Sequence, residues 1–353
     1  MKGDQKRRNP VEEQQFRNKI QWFTFCSSLL VVWGHALNAE LFLGNSPAAA
    51  RLGQVERFLG NEIGQLAVPS FFMISAYLFY RNFNWSRLKG KWKSRCQSLV
   101  VPFLLWNGIY YLGYILASRI GGLTDVVGKG IIPVDWNNLF QAVFHYRYNY
   151  VFWYLYQLIW LVALTPVIYA LLKRKETAAL YLVIVSGLVW TAVNIPVINE
   201  DSLLYYSAAG YFAIHEKKKA EGARSSWHIR AGTAFVIAGL LCRILYGQTG
   251  AVGLLVLFRL FIPLGVWALV DQSRLWPVKA WMKDTFFLYA VHFAVVRLVN
   301  KTAAFLFPGD FLIAVFLFLA MPLLCVMLSV LAGKVMKTRV PFLWHLLTGG
   351  RNY

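Results

Sequence analysis

Residues 20–38 read Ile-Gln-Trp-Phe-Thr-Phe-Cys-Ser-Ser-Leu-Leu-Val-Val-Trp-Gly-His-Ala-Leu-Asn, and this stretch decides the fold class. It contains no Asp, Glu, Lys or Arg. A helix needs roughly 20 mostly apolar residues to cross the hydrocarbon core of a bilayer, which is about the length of this stretch. The sequence therefore predicts a membrane-spanning helix, preceded by a basic segment that ends at Lys19.

Similar apolar stretches recur along the whole chain. Of its 353 residues, 58% are hydrophobic and 15% are charged, and the mean hydropathy is +0.48. Because this composition is unlike that of soluble domains, we expect an all-α polytopic membrane protein with about ten transmembrane helices. The predicted spans are 20–38, 62–80, 98–117, 151–172, 178–197, 203–214, 228–246, 251–270, 284–300 and 310–333.

The positions of Lys and Arg predict the orientation of this bundle, residues 20–333. With the N-terminus in the cytoplasm, the predicted inner segments carry 26 Lys and Arg, and the outer loops carry six. By the positive-inside rule, the flanking segments 1–19 and 334–353 are then both cytoplasmic. The net charge of +20 therefore reflects topology, and a nucleic-acid partner is excluded because no basic face or zinc pattern accompanies it.

A cleaved signal peptide is the competing interpretation of the first span. Residues 36–39, Ala-Leu-Asn-Ala, are similar to a signal-peptide cleavage site, but the preceding span is long for a signal peptide and contains His35.

The cysteines form no paired pattern and no cluster with His, so we expect no disulfide and no metal site. They are Cys26, Cys96, Cys242 and Cys325.

His35 is the first candidate for a functional residue, because an ionisable side chain inside an apolar span is costly and usually functional. It lies sixteen residues after Lys19, or about 24 Å along a helix, which places it in the outer half of the membrane. An imidazole there can accept a proton from a hydroxyl group near neutral pH. A purely structural His that bonds to a neighbouring helix is the alternative.

The other ionisable groups deep in predicted spans are His292, Arg243, Arg259 and Arg297, and no Asp or Glu lies at a similar depth. Uncompensated cations there imply a water-filled cavity or an anionic ligand. The phosphates of coenzyme A fit this requirement, and Arg259 is a candidate to bind them. For Arg297 we also consider that the side chain extends to the outer surface of the membrane.

The longest predicted outer segment, 118–150, mixes polar and aromatic side chains. It holds Asp125, Asp135, Trp136 and the aromatic run from His145 to Tyr150. This composition is typical of a surface that binds sugar, and equally of an ordinary aromatic belt at the membrane interface. The sequence leaves both interpretations open.

Several segments resemble, in order along the chain, motifs of the bacterial acyltransferase-3 family of membrane acyltransferases. The similar segments are Phe25–His35, Val68–Leu78, Arg95 followed by Val101–Trp106, Phe152–Leu155, Phe287–His292 and Leu347–Arg351. They run from residue 20 to residue 351, so the resemblance covers nearly the whole chain. Each segment alone is a weak signal, and their common order carries the resemblance.

The resemblance implies transfer of an acyl group, often acetyl, from cytoplasmic acyl-CoA to a hydroxyl of an extracytoplasmic glycan or lipid-linked sugar. The expected location is the cytoplasmic membrane of a bacterium. It also implies that His35 is catalytic and that Arg95, on the inner side, lies where the phosphates of coenzyme A arrive. No metal ion is expected in this chemistry.

The sequence departs from the family pattern at two positions on the donor side. Thr24 stands where the family usually has Arg or Lys, eleven residues before the His, and Ser98 replaces the second basic residue of the pair that begins with Arg95. A milder change is Ala76 in place of Gly. We still expect Thr24 and Ser98 to lie near the acyl donor. Either another Arg substitutes for the missing basic residues, or the choice of donor differs from the family's norm.

Five polar or aromatic residues of the matching segments are candidates to bind substrate or to stabilise the oxyanion of acyl transfer, since buried polar groups need partners. They are Ser75, Tyr77, Trp153, Tyr289 and His292. For Ser75, silent packing at a helix contact is the alternative. Whether the acyl group passes directly or rests on His35 stays open.

Two other classes of function compete with acyl transfer. A transporter of a polysaccharide or lipid-linked precursor could use the same intramembrane Arg and His groups, but the sequence shows none of the duplicated halves common in transporters. A catalytically inactive relative, kept as a sensor or scaffold, is favoured by the departures at Thr24 and Ser98.

Overall fold

The computed structural model describes residues 10–122, 124, 128–193 and 195–351, and helices without any β-strand make up the regular structure of this part. The helices are α1 (Pro10–His35), α2 (Ala39–Leu43), α3 (Pro47–Glu56), α4 (Ala67–Tyr80), α5 (Leu88–Arg95), α6 (Val101–Ala117), α7 (Trp136–Phe144), α8 (Trp153–Ala163), α9 (Thr165–Leu172), α10 (Lys175–Trp190), α11 (Glu200–His215), α12 (Lys217–Glu221), α13 (Ser226–Thr249), α14 (Val252–Leu269), α15 (Thr285–Leu306), α16 (Phe311–Arg339) and α17 (Pro341–Thr348).

Each of the ten predicted spans overlaps helical structure, although the predicted span 178–197 extends beyond the end of α10 at Trp190. The protein is a multi-pass membrane protein. Within the described residues, six helical segments are long and apolar enough to cross a bilayer, or seven if a broken pair counts as one span. The six are Pro10–Leu43, Pro47–Tyr80, Trp85–Ala117, Ser226–Thr249, Val252–Leu269 and Phe311–Arg339, and the pair is Tyr150–Ala163 with Thr165–Leu172.

The remaining predicted spans differ from these for physical reasons. Helices α10 and α11 have only 16 residues each, fewer than a full crossing needs. Helix α15 has 22 residues but carries Arg297 and Lys301 besides His292, which lowers its hydropathy. The predicted span 151–172 breaks between α8 and α9, where Pro166 lacks the N–H that would continue the helix.

The Cα positions divide the chain into two compact units. The first unit comprises residues up to Ser27, Val68–Asn84 and Leu164–Lys283, and the second comprises Ser28–Ala67, Trp85–Ala163 and Asp284–Tyr353. Helix α1 contributes its first part to one unit and its last part, with His35, to the other.

A buried ion-pair network ties together three segments of the first unit. Arg81 Nε donates to Glu221 Oε1 at 2.7 Å, and an amino group of the same guanidinium donates to Glu13 at 3.0 Å. The Tyr77 hydroxyl also donates to Glu221 at 2.7 Å. The hydrogen bond with Glu13 raises the pKa of Arg81 above its ordinary value, so the guanidinium stays charged. Glu221 is only 1% exposed and depends on these donors.

In the second unit, the turn that follows His35 is held by a buried carboxylate. Glu56 Oε1 accepts the backbone N–H of Asn38 at 2.9 Å and that of Ala39 at 3.2 Å, which satisfies donors at the start of α2. A π-helical segment, Arg57–Ile63, leads on to Gly64, where a Cβ atom would lie only 2.9 Å from the carbonyl oxygen of Leu30. The chain therefore packs closely against the end of α1.

We predict that Arg81→Ala destabilises the protein by about 3–5 kcal/mol, since it leaves the Glu221 carboxylate buried without its cation. The matched control is Arg17→Ala, which removes the exposed ion pair of Arg17 with Glu13 and costs less than about 1 kcal/mol. Thermal unfolding of both variants in the same detergent measures the difference. Equal midpoints for the two variants would contradict this assignment.

Candidate active site

His35 lies at the C-terminal end of α1, and aromatic rings of two other segments surround its half-buried side chain. The centre of its ring is 5.3 Å from that of His292, 5.8 Å from that of Phe293 and 5.7 Å from that of Tyr150. His292 and Phe293 come from α15, and Tyr150 begins the short 3₁₀ helix before α8. The structure therefore brings the two predicted histidines together.

The hydroxyl of Tyr150 forms a hydrogen bond of 2.9 Å with Nδ1 of His35. If Nδ1 carries the proton, it donates to the tyrosine oxygen, and the lone pair of Nε2 is then available to accept a proton. Tyr150 thus has the position of a residue that sets the tautomer of His35. In the sequence, Tyr150 stood out only as the end of an aromatic run. Its place two residues before the Phe152–Leu155 segment was the available signal.

The side chain of His292 is fully buried. Its Nδ1–H donates to the carbonyl oxygen of Tyr289 at 2.6 Å, because a carbonyl can only accept. Nε2 then carries a lone pair, and among the described residues it has no hydrogen-bond partner. Leaving such a group unpaired costs about 1–3 kcal/mol, so its retention beside His35 favours a role in binding or proton exchange.

Tyr289 holds the site together through its own contacts. Its hydroxyl donates to the carbonyl oxygen of Val151 at 2.8 Å, and its ring stacks on Phe152 with centres 5.2 Å apart. It therefore fixes the segment that carries Tyr150, and its hydroxyl proton is already used. Trp153 begins α8 three residues after Tyr150, on the same fixed segment.

Four of the predicted site residues belong to the first unit, each with contacts of its own. Tyr77 donates to Glu221, and the Thr24 hydroxyl donates to the Ile20 carbonyl at 2.7 Å. Arg259 of α14 is an electrostatic neighbour of Asp201 at the start of α11. Ser75 is half-buried in α4. These four residues belong to the first unit, whereas His35 belongs to the second.

The donor-side positions Arg95 and Ser98 lie in the second unit, and the C-terminal segment packs on Ser98. Arg351 donates to the carbonyl oxygen of Ser98 at 2.8 Å and to that of Thr348 at 2.9 Å. Gly349 makes this approach possible: its φ is 68°, and a Cβ atom there would lie 2.6 Å from Cα of Ser98. Arg351 thus brings a cation to the position where Ser98 lacks one.

The remaining predicted residues have simpler surroundings. Asp135 accepts the backbone N–H of Asn138 at 2.8 Å as the N-cap of α7, and Trp136 beside it is 85% exposed. Asp125 lies outside the described residues. The four cysteines are free thiols, and the described part of the chain contains no group of three or more His, Cys, Asp and Glu side chains that could hold a metal.

A family model described as an acyltransferase domain matches residues 18–330. The chain belongs to the acyltransferase-3 family. The match includes the two histidines and Arg95, while Arg351 lies beyond it. The succinoglycan biosynthesis protein ExoH of Rhizobium meliloti (strain 1021) is 26% identical over 183 residues, which are 49% of this chain and 47% of that protein. The match thus spans about half the length of this relative. No solved structure matches the chain.

We predict that Tyr150→Phe slows acyl transfer by this acyltransferase up to about tenfold, since one hydrogen bond is worth about 0.5–1.5 kcal/mol. Without the tyrosine oxygen, the neutral His35 ring loses its preferred tautomer. The control is Tyr146→Phe, which removes a hydroxyl from the same aromatic run. Initial rates with both variants in the same membranes test this, and an unchanged rate for Tyr150→Phe would remove Tyr150 from the site.

Proposed function

We propose that this protein transfers an acyl group, acetyl being the first candidate, from cytoplasmic acyl-CoA to a hydroxyl of a cell-surface glycan or lipid-linked sugar. The observation that carries the proposal is His35, an imidazole at the end of a membrane-crossing helix with Nδ1 engaged by Tyr150. Membership in the acyltransferase family supports the reaction class. The name of the relative, which refers to succinoglycan biosynthesis, favours a glycan acceptor.

The proposal includes a topology of ten crossings in a bacterial cytoplasmic membrane, with both termini cytoplasmic. In it, the short helices α10 and α11 and the polar helix α15 cross together with the longer ones. The charge asymmetry between the two sides supports this orientation. His35 then lies toward the outer leaflet, and Arg95 and Arg351 face the cytoplasm.

In the proposed reaction, the acceptor hydroxyl gives its proton to Nε2 of His35 while its oxygen attacks the carbonyl carbon of the thioester. The tetrahedral intermediate collapses as the carbon–sulfur bond breaks. The imidazolium returns its proton to the departing thiolate of coenzyme A. Tyr150, which accepts from Nδ1–H throughout, holds the imidazole in the required orientation.

In this proposal, His292 does not stabilise the oxyanion. Its Nδ1–H is used by the Tyr289 carbonyl, so the neutral ring offers only an acceptor at Nε2. An acceptor binds an O–H group and repels an oxyanion. Because the His292 ring is fully buried beside that of His35, we assign to it the positioning of His35, and we assign to Tyr289 the positioning of His292.

On the donor side, Arg95 and Arg351 are proposed to bind the phosphates of coenzyme A. Arg351 is held at the Ser98 carbonyl and stacks over the Phe286 ring, 3.9 Å from its centre. It would replace the basic residue that Ser98 lacks. Arg259 is left out of this site, because its neighbour Asp201 begins α11 next to a predicted outer loop.

The decisive test is acyl transfer by the purified protein in lipid nanodiscs with labelled acetyl-CoA and an extract of surface glycan. We predict that His35→Ala reduces transfer by about a hundredfold or more, the usual contribution of a general base. His145→Ala, which alters an imidazole of the outer segment, is the control. Mass spectrometry detects the gain of one acetyl group, and full activity of His35→Ala would refute the mechanism.

The same preparation separates the competing functions. Efflux of a glycan precursor from proteoliposomes without any acyl donor would favour a transporter. Tight binding of acyl-CoA without turnover would favour an inactive sensor.

We also predict that Arg351→Ala raises KM for acetyl-CoA by about tenfold or more with little change in kcat, since a charge-assisted hydrogen bond contributes about 1.5–3 kcal/mol. Arg339→Ala removes an exposed cation of the same C-terminal region and is the matched control. Arg351→Lys, which keeps the charge, should recover part of the affinity. If Arg351→Lys and Arg351→Ala are equally impaired, tail packing rather than charge explains the effect.

A further inference from the structure

A polar cavity of about 930 Å³ lies in the second unit, directly after the candidate catalytic histidine in the chain. Its lining begins at Leu37, follows α2 and α3, and ends at Asn61 in the π-helical segment. Three residues of extended chain span at most about 11 Å, so Cα of Asn38 in the lining lies within that distance of Cα of His35. Sites that bind ligands measure about 300–1,000 Å³, and the size of this cavity is in that range. We call it the α2–α3 cavity.

Hydrogen bonds hold the walls of the α2–α3 cavity in place. The Glu56 carboxylate, which is 2% exposed, accepts the backbone N–H of Asn38 at 2.9 Å. The side-chain amide of Asn38 donates to the carbonyl oxygen of Ala314 in α16 at 3.1 Å. The backbone N–H of Gly309 donates to the carbonyl oxygen of Phe42 in α2 at 2.8 Å. The cavity is therefore formed before a ligand arrives, which lowers the cost of binding.

The exposed polar side chains of the lining are Glu40, Asn45, Arg57 and Asn61. The structure places the Arg57 guanidinium against α3, because a Cβ atom at Gly53 in the same lining would lie 3.2 Å from one of its amino nitrogens. A carboxylate only accepts hydrogen bonds, a guanidinium only donates them, and a carboxamide does both. The cavity thus offers donors and acceptors together.

This mixture favours an uncharged ligand that carries hydroxyl groups. Arg57 and Glu40 are both close enough to the buried Glu56 to act on its carboxylate, and they do so in opposite directions. An anion in the cavity would meet the carboxylates of Glu40 and Glu56, and a metal ion would meet the guanidinium of Arg57. A hydroxyl group both donates and accepts, so the neighbouring hydroxyls of one sugar ring can bind carboxylate and guanidinium at once.

We propose that the α2–α3 cavity binds an uncharged sugar unit next to the unit that receives the acyl group, and that Glu40 and Arg57 select this neighbouring unit. The acceptor is then a chain of at least two sugar units, held at two points. This inference rests on the proposed function, in which a sugar hydroxyl reacts at His35, and it adds a subsite with its own specificity residues. In the proposed topology, the cavity opens on the outer side of the membrane, where surface glycan is present.

The first test varies the length of the acceptor. Fragments of one to four sugar units, made by partial hydrolysis of the surface-glycan extract, serve as acceptors for the full-length protein in nanodiscs with labelled acetyl-CoA. We expect kcat/KM to rise about tenfold or more from one unit to the longer fragments, mainly through KM, because two further hydrogen bonds add binding away from the reacting hydroxyl. Equal kcat/KM for all lengths would overturn the proposal.

A matched pair of variants shows whether the α2–α3 cavity causes this gain. Ala50 and Gln54 are both exposed on α3, but only Ala50 belongs to the lining. We expect Ala50→Phe, which fills the cavity, to remove most of the gain with fragment length, and Gln54→Phe to keep it. A full gain with Ala50→Phe, or an equal loss with both variants, would overturn the assignment to this cavity.

A second set of variants tests the polar contacts. We expect Glu40→Ala and Arg57→Ala each to raise KM for the longer fragments about threefold or more, with kcat nearly unchanged. Arg51→Ala, which removes an exposed cation of α3 outside the lining, is the control. If Arg57→Ala and Arg51→Ala have the same KM, Arg57 does not bind the acceptor. If only acidic fragments show the gain and high salt abolishes it, the ligand is an anion and the assignment of an uncharged unit is wrong.

The same measurements separate this inference from the proposed function. If wild-type protein acetylates fragments of every length equally, and does so only with His35 present, the subsite is wrong and the enzyme assignment stands. If wild-type protein acetylates no fragment and does not cleave acetyl-CoA, the proposed function fails, and the subsite fails with it.

Discussion

The second unit depends on one constraint, which is to hold an ionisable ring at the end of an apolar helix in a single orientation. Burying a polar group without partners is expensive, so the ring must be supported from several segments. Tyr150 supports Nδ1 of His35, and the Tyr289 hydroxyl anchors the segment that carries Tyr150. Glu56 fixes the turn directly after the ring by accepting two backbone N–H groups. These contacts join different segments of the chain. The buried carboxylate of Glu56 reinforces the short turn that follows His35.

The sequence was sufficient to predict the helical class and the approximate positions of the apolar helical segments, because these follow from local hydropathy. The importance of His35 stays a prediction that rests on one costly side chain. The sequence was not sufficient for interactions that the fold creates. Arg351 reaches Ser98 over a separation of 253 residues, and no local pattern indicates such a contact. Glu56 and Glu221 lie in segments that are polar in sequence, yet both are buried. Pro166 was visible in the sequence as a possible helix break. The apolar residues on both sides of it nevertheless led to the prediction of one continuous span, 151–172.

The two units use their charges differently. In the first unit, Arg81 pairs with the carboxylates of Glu13 and Glu221, and Glu13 also pairs with Arg17. Two cations thus face two carboxylates, and the network serves stability. In the second unit, Arg351 is held by backbone carbonyls, and Arg297 is held by a tyrosine hydroxyl. A positioned cation of this kind is what recognition of a phosphate requires, on either side of a membrane.

The proposed transfer also has to limit a competing reaction. A thioester next to a basic imidazole is exposed to hydrolysis whenever water can replace the sugar hydroxyl. His35 is only half-buried, and the rings of Phe293 and Tyr150 pack edge to face beside it. In the proposed reaction, a sugar hydroxyl bound beside these rings takes the place of water, which favours transfer to sugar over hydrolysis.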